Sequence, residues 1–172
     1  MLGKLYDGQQ DCAIAGALEV IGERWTLLIV RDAMYGVRRF SEFQAHLDIP
    51  KAVLAERLNS LVDNGILERQ PDPDHAGRHL YVLTAAGSEL WPVIHGILIW
   101  GGRHRRPNSR LFRHAVCGTE LAADGSCPKC KLVPDLADLI SEPKPGRRPR
   151  REDAVAVALR KPHRMLEPLE VD

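Results

Sequence analysis

The sequence is poor in aromatic residues: three Trp, three Tyr and three Phe make up 5% of 172 residues, too few for a surface that binds nucleic acid by stacking bases on rings. It also lacks an excess of charge of either sign. With 24 Lys and Arg against 23 Asp and Glu, the overall field does not attract a polyanion, and any nucleic-acid contact must rest on local basic clusters. No apolar run approaches the roughly 20 residues that cross a bilayer; Leu27-Leu28-Ile29-Val30, the longest near the N-terminus, is bounded by Arg24 and Arg31. With neither a signal peptide nor an anchor in view, a cytoplasmic protein without membrane contact is expected. A Gly-rich phosphate loop, a nucleophile elbow and paired carboxylates in a catalytic setting are all missing, so the expectation is that the chain is not an enzyme. Four cysteines without an export signal point to a reducing compartment, where thiols serve as metal ligands or redox sensors more than as disulfides.

What is present is a globular composition, 44% hydrophobic and 27% charged, in a chain long enough for one ordinary domain and an addition. Pattern divides it into residues 1–106, residues 107–141 with the cysteines, and residues 142–172, which are Pro- and Arg-rich and read as a flexible tail. In the first region Ile14, Ala17, Leu18, Ile21, Trp25, Leu28 and Ile29 recur at spacings of three and four, and Gly22 breaks the stripe into two helices. A short helix ends near Leu47, with Ser41 as its cap, Gln44 returning the bond and Phe40 just outside. Asp48-Ile49-Pro50 is a tight connector. Lys51 to Asp63 then forms a helix whose Leu54, Leu58 and Leu61 make one apolar stripe, ended by Asn64-Gly65. The period changes to two in Ile66-Leu67-Glu68-Arg69 and in Leu80-Tyr81-Val82-Leu83, and the turn residues between them make a β-hairpin with a polar tip. Thr84 caps one last long helix through Trp100, with Pro92 tolerated in its first turns.

Short helix, three-residue turn, helix and hairpin is the order of a winged helix-turn-helix, whose second helix enters the major groove. A plain helical core carrying a hairpin has the same periodicity. The outward face of Lys51–Asp63 favours the first reading: Lys51, Ala52, Ala55, Glu56 and Asn59 are small or able to bond a base edge. Arg57, on the flank of the stripe, reaches toward a phosphate or a carboxylate. Arg38, Arg39 and Ser41 stand where the DNA backbone is met. His75, Arg78 and His79 decorate the wing. Taken singly, each of these could equally be solvated surface.

These stretches resemble the HxlR-type regulators, relatives of the MarR group. The resemblance is carried by Cys12 with residues 17–29, by Gly36-Val37-Arg38-Arg39-Phe40-Ser41-Glu42-Phe43, by Leu54-Ala55-Glu56-Arg57-Leu58 and Gly65-Ile66-Leu67, and by Tyr81-Val82-Leu83-Thr84-Ala85-Ala86-Gly87 ending in Trp100-Gly101. It implies a winged-helix homodimer joined through its first and last helices, acting on nearby genes, with Cys12 placed as a sensor of oxidants or electrophiles. The alternative for Cys12 is an inert buried thiol. Two residues depart from the family pattern: Glu23 replaces a second Gly, and Pro50 replaces a small polar cap, at a cost on the order of 1 kcal/mol at that helix start.

His114, Cys117, Cys127 and Cys130 read H-x2-C-x9-C-x2-C with Gly118, Gly125 and Pro128 at turns, a zinc-ribbon-like extension in which four N or S ligands suit structural zinc. A redox pair at Cys127 and Cys130, or free thiols, are the other readings. Pro143-Lys144-Pro145-Gly146-Arg147-Arg148-Pro149-Arg150-Arg151 suits phosphate contact or a solvated linker, and Asp153 to Lys161 one short helix. The sequence thus leads to a mainly α, sequence-specific transcriptional regulator with a small β-hairpin, acting as a homodimer on a double-stranded DNA operator and answering a redox or small-molecule effector. A winged-helix protein-docking module with a structural zinc site is the alternative.

Overall fold

The computed structural model describes residues 11–146 and 151–171, and its elements follow the periodicity closely in the N-terminal two thirds. α1 (Ala13–Ile21) and α2 (Thr26–Met34) are separated at Gly22, whose own N–H closes the last turn on Leu18 O. α3 (Phe40–Leu47) and α4 (Lys51–Asp63) are joined through Asp48, which takes the left-handed conformation (φ 54°) that lets the chain reverse in three residues. Leu54, Leu58 and Leu61 are each at most 1% exposed; burial of this size stabilises by about 2 kcal/mol per side chain and fixes how α4 is rotated. Ile49 is buried against the same core, and Pro50 stands at the helix N-cap without a side-chain capping bond.

β1 (Leu67–Pro71) and β2 (His79–Leu83) pair antiparallel with Leu67 opposite Leu83 and Pro71 opposite His79. The start of α3 joins them, because Tyr81 N–H donates to Arg38 O at 2.8 Å. The wing is thereby held to the helix-turn-helix by backbone as well as by side chains.

Three local expectations give way. The cap of α3 is Arg39, not Ser41: the helix starts two residues early, and Glu42, rather than Gln44, accepts the Arg39 backbone N–H at 3.0 Å, which leaves Ser41 exposed in the first turn. The long helix from Thr84 is two helices. Thr84 caps only α5 (Ala85–Ser88), and α6 (Trp91–His104) starts afresh with Pro92 in its first turn, where a missing N–H costs nothing. Gly87 is buried beneath this break, and a Cβ there would lie 2.2 Å from Ile66 O.

Residues 142–172 are the third difference, since a flexible tail with one short helix at Asp153 to Lys161 is expected there. β3 (Arg110–His114), β4 (Leu139–Pro143) and β5 (His163–Arg164) form one antiparallel sheet in the order β3-β4-β5, so it crosses the boundary placed at residue 141. α7 (Ala154–Ala158), capped by Asp153, packs on α3. Val155, Leu159, Met165 and Leu169 are buried in the same cluster as Ile29, Phe43 and Leu58. The segment closes over Gly36: Leu166 N–H donates to Met34 O and Leu169 N–H to Gly36 O. Of the basic run, Arg147, Arg148, Pro149 and Arg150 lie outside the described residues.

Candidate nucleic-acid interface and metal centre

With its leucines sealed inward, α4 turns Lys51, Ala52, Glu56 and Asn59 to solvent, and Ala55 is half-buried beside them. Nothing among the described residues covers this face. Asn59 is engaged at its edge, accepting a hydrogen bond from Arg69 of β1. Arg69 is not among the residues expected from sequence; the alternation Leu67-Glu68-Arg69 puts it on the face it shares with Leu67, toward α4, where it is exposed at the end of the buried part. Arg57 meets carboxylates: it bonds Glu56 and lies 3.8 Å from Glu23.

The two arginines before α3 are also occupied. Arg38 donates to Leu166 O at 3.0 Å. Arg39 forms a network, with Nε on Asp72 Oδ2 at 3.0 Å, Nη2 on Asp74 at 2.7 Å and Nη1 3.5 Å from Glu42. Asp72 organises the wing tip. It also accepts from Asp74 N–H and sits 3.3 Å from His75 Nδ1, and the Arg39 hydrogen bond, helped by these, holds its carboxyl at about 2. His75, Arg78 and His79 are exposed on the wing, His75 against Asp72. The sequence offered the arginines but not their partners, because Asp72 and Glu42 are 33 and 3 residues away and only the fold brings Asp72 in.

At the far end of β3, the chain turns at His114-Ala115-Val116-Cys117 and again at Cys127-Pro128-Lys129-Cys130. Gly118 (φ 68°), Gly125 (φ 85°) and Lys131 (φ 57°) provide the left-handed backbone these two turns need. The result brings His114, Cys117, Cys127 and Cys130 together with all ligand atoms within 4.8 Å of one another. Cys117 Sγ lies 3.5 Å from both His114 Nδ1 and Cys127 Sγ. Sulfur ligands about 2.3 Å from a tetrahedral ion stand about 3.8 Å apart, so these spacings fit zinc. Cys130 N–H points at Cys127 Sγ at 3.5 Å, a bond of the kind that would orient a metal-bound thiolate. Hydrogen bonds from the Thr119 side chain and backbone bring the Cys117 thiol down to about 6, while sharing with Cys117 and burial push Cys130 up to about 11. The asymmetry is that of thiols crowded round one point. α6 abuts this loop through His95, which is buried in a tilted stack with Trp91 and pushed below the usual imidazole range by burial, and Asp124 lies near enough to oppose that push.

Cys12 is half-buried at the cap of α1. Beside it the expected apolar stripe is only partly covered: Ile14 is 72% exposed, and Leu18 and Leu28 are also open. On α6, Val93, Ile97 and Trp100 are open too, Trp100 to 54%. Leu28 and Ile97 line one apolar groove with Leu27, Ile94 and Leu98. None of the described helices is long and apolar enough to cross a membrane.

The HxlR-like helix-turn-helix family profile matches residues 20–109. An uncharacterized HTH-type transcriptional regulator of Mycobacterium tuberculosis is 38% identical over 148 residues, covering 84% of this chain and 92% of its own. An alignment of that length spans the cysteine segment as well as the winged part. Among solved structures, PA1607, described as a transcription factor, superposes with a TM-score of 0.54 at 40% identity, over 56% of this chain and 68% of its own. The redox regulator HypR in its reduced form superposes at 0.50 and 27% identity, over 55% of this chain and 94% of its own.

Proposed function

The chain belongs to the HxlR-like helix-turn-helix family of transcriptional regulators, and from that premise we propose that it reads a specific operator as a homodimer, with zinc bracing its extension. One observation carries the reading: three buried leucines fix α4 so that its opposite side stands free and presents Lys51, Ala52, Glu56 and Asn59. In a symmetric dimer two such helices would meet half-sites about 34 Å apart, one turn of B-DNA. Lys51, Glu56 and Asn59 are the base-reading side chains in this account, Ala52 and Ala55 allow the close approach, and Ser41, Arg57, Arg78, His75 and His79 flank the backbone. Arg38 and Arg39 act differently from the first expectation. They position the wing and the strap over Gly36, and Arg39 contacts phosphate only by leaving its carboxylates. The open apolar face of α1, α2 and α6 supports a dimer, since monomers rarely leave such patches uncovered.

His114, Cys117, Cys127 and Cys130 would hold the zinc. Four protein ligands leave no position for water, so the metal supplies a cross-link and no catalysis. Cys12, at the edge of the open face, is the thiol assigned to a redox signal, in keeping with the likeness to HypR. Such a protein works where the DNA is, in the cytoplasm.

A mobility-shift titration with the DNA upstream of its own gene tests the proposal. A salt-sensitive complex that specific competitor dissolves first is the expected result, and Glu56→Ala or Asn59→Ala should alter which bases are preferred. A second reading, a protein-docking module, is favoured by the internal pairing of Arg38, Arg39 and Arg57 together with the net charge of +1. No shift at low salt would select it.

A further inference from the structure

A cavity of about 300 Å³ opens where the extension meets the winged part, lined among others by Arg31 of α2, His46 of α3, Leu98 of α6, Arg110 of β3 and Arg151. Three guanidinium groups and an imidazole face it, and no carboxylate is among its lining residues. Two of those cations are already matched: Arg31 bonds the buried Asp32 at 2.7 Å, and Arg151 bonds Asp153 at 2.9 Å, which in turn lies 2.8 Å from His46 Nδ1. Asp32 stands behind the lining, 4.0 Å from His46 Nε2, and its Oδ2 has no partner.

Arg110 is different. Its Nε donates to Ser141 Oγ and its Nη1 to Leu159 O, both at 2.7 Å, and its guanidinium lies 5.3 Å over the Tyr35 ring. All three partners are neutral, no carboxylate pairs with it among the described residues, and Nη2 is buried with no partner at all. Burial presses on this charge, drawing the Arg110 pKa down, yet a guanidinium does not give up its proton near neutrality. Arg110 is thus a half-buried cation whose Nη2 is sealed without a partner and whose nearest acting carboxylate, Glu142, is itself paired with Arg113, so an anion that reaches the guanidinium from the cavity would be favoured. The remaining walls are apolar or aromatic, from Tyr35, Leu98, Ala156 and Leu159.

We propose that this cavity is an effector site for a small organic monoanion: a carboxylate that completes the Arg110 fork, on a short aromatic or aliphatic body packed against Leu98, Tyr35 and Leu159. The size is at the lower end of small-molecule pockets. Its walls come from α2, the first helix of the helix-turn-helix, α6 and the extension, so an occupant ties the DNA-facing part to the strap that holds it. The inference concerns ligand binding alone and stands apart from whether the chain binds an operator.

Benzoate and its neutral isostere benzamide provide the test, titrated into the full, isotope-labelled chain while backbone amide shifts are followed. Benzoate should shift Leu98, Arg110 and Leu159 saturably, with a Kd on the order of 1 mM for so small a ligand. Benzamide should not saturate, and inorganic phosphate, which lacks the apolar body, should bind at least about tenfold more weakly. Arg110→Gln should weaken benzoate about tenfold or more. Arg151→Gln, an exposed change that leaves the core intact, should weaken it a few-fold and serves if the first variant does not fold. No saturable shift at these residues, equal binding of benzamide or phosphate, or unchanged benzoate affinity in the folded variants would overturn the proposal.

Discussion

The winged part and the extension share one hydrophobic core, but they are specified by different means. In the winged part each element is written many times over: α4 alone carries Leu54, Leu58 and Leu61 at helical spacing, all buried. The extension is written in single atoms. Four candidate ligands meet where two loops converge, three left-handed residues shape those loops, and two backbone bonds, Leu166 N–H to Met34 O and Leu169 N–H to Gly36 O, seat the strap. Redundant specification spreads stability over many side chains, whereas point specification concentrates it. The same single-residue change should therefore cost more in the extension than its size suggests.

If the proposed zinc is bound, its loss is the severest way to try this contrast. Cys127→Ser, or chelation of the wild type, should abolish metal stoichiometry near one zinc per chain and unfold residues 110–143, a loss on the order of 5 kcal/mol or more given what structural zinc contributes. Elemental analysis with amide exchange checks both halves of the statement. Full protection of the extension in the metal-free chain would remove zinc from the account. By comparison Leu58→Ala, a larger loss of buried apolar surface, should cost about 2–5 kcal/mol in urea unfolding and leave the metal content unchanged.

Gly36→Ala is the third probe, smaller but sharper. At φ 83° an alanine is strained, and its Cβ would stand 1.8 Å from Glu167 O and 3.0 Å from Leu169 N. The strap over residues 163–171 must lift. A loss of about 1–3 kcal/mol is expected, with exchange of the Leu166 and Leu169 amides accelerated and α4 unaffected.

Particular residues show why one part was legible from sequence and the other was not. The stripe of α4, the hairpin and the His114, Cys117, Cys127, Cys130 cluster all follow from spacing, because helical period, strand period and ligand chemistry are local rules. The α3 cap is not legible from sequence because Arg39 is no capping residue and the work falls to Glu42. The last helix reads as one from sequence because nothing local to Gly87 signals that Ile66 O lies against it in the fold. Beyond the short helix expected at Asp153 to Lys161, the strap reads as tail because Met165 and Leu169 belong to no longer stripe and the neighbouring Pro-Arg run dominates the composition. Of the candidate DNA contacts, the α4 face was visible as the complement of its leucines. The pairing of Arg39 with Asp72 was not, since a salt bridge across 33 residues leaves no mark in the sequence.

Acid gives a gentler comparison, because each part is pinned to α3 by one low carboxylate. Asp72 holds the wing tip to Arg39 at the start of α3. Asp153 lies against His46 on the same helix, and although its burial works the other way, bonds from Arg151, Ala156 N–H and His46 keep it, like Asp72, at about 2. Both folded values lie below the roughly 3.9 of an unfolded Asp. The stabilisation is thus complete above pH about 4 and is lost as pH falls through about 2. Urea midpoints should drop steeply between pH 4.5 and pH 2.5 and less steeply in Asp72→Asn or Asp153→Asn. Wing amides should loosen first in the former variant and α7 amides in the latter.

The smallest expected effect lies at the exposed wing, where Arg78 bonds only through its backbone among the described residues. Arg78→Ala should leave the melting temperature within about 1 °C, as surface changes away from packing usually do. If Arg78 meets a phosphate, operator affinity should fall by less than about tenfold for every sequence alike, and the slope of log K against log salt should shrink by about one. Arg39→Ala, in contrast, should lower stability as well as affinity, because it strips Asp72 of its main partner and frees the wing tip. If the two variants behaved alike, an arginine that builds the wing could not be told from one that only reaches out from it. Equal stability with an unchanged salt slope in Arg78→Ala would move the DNA contact off the wing and onto α4 alone.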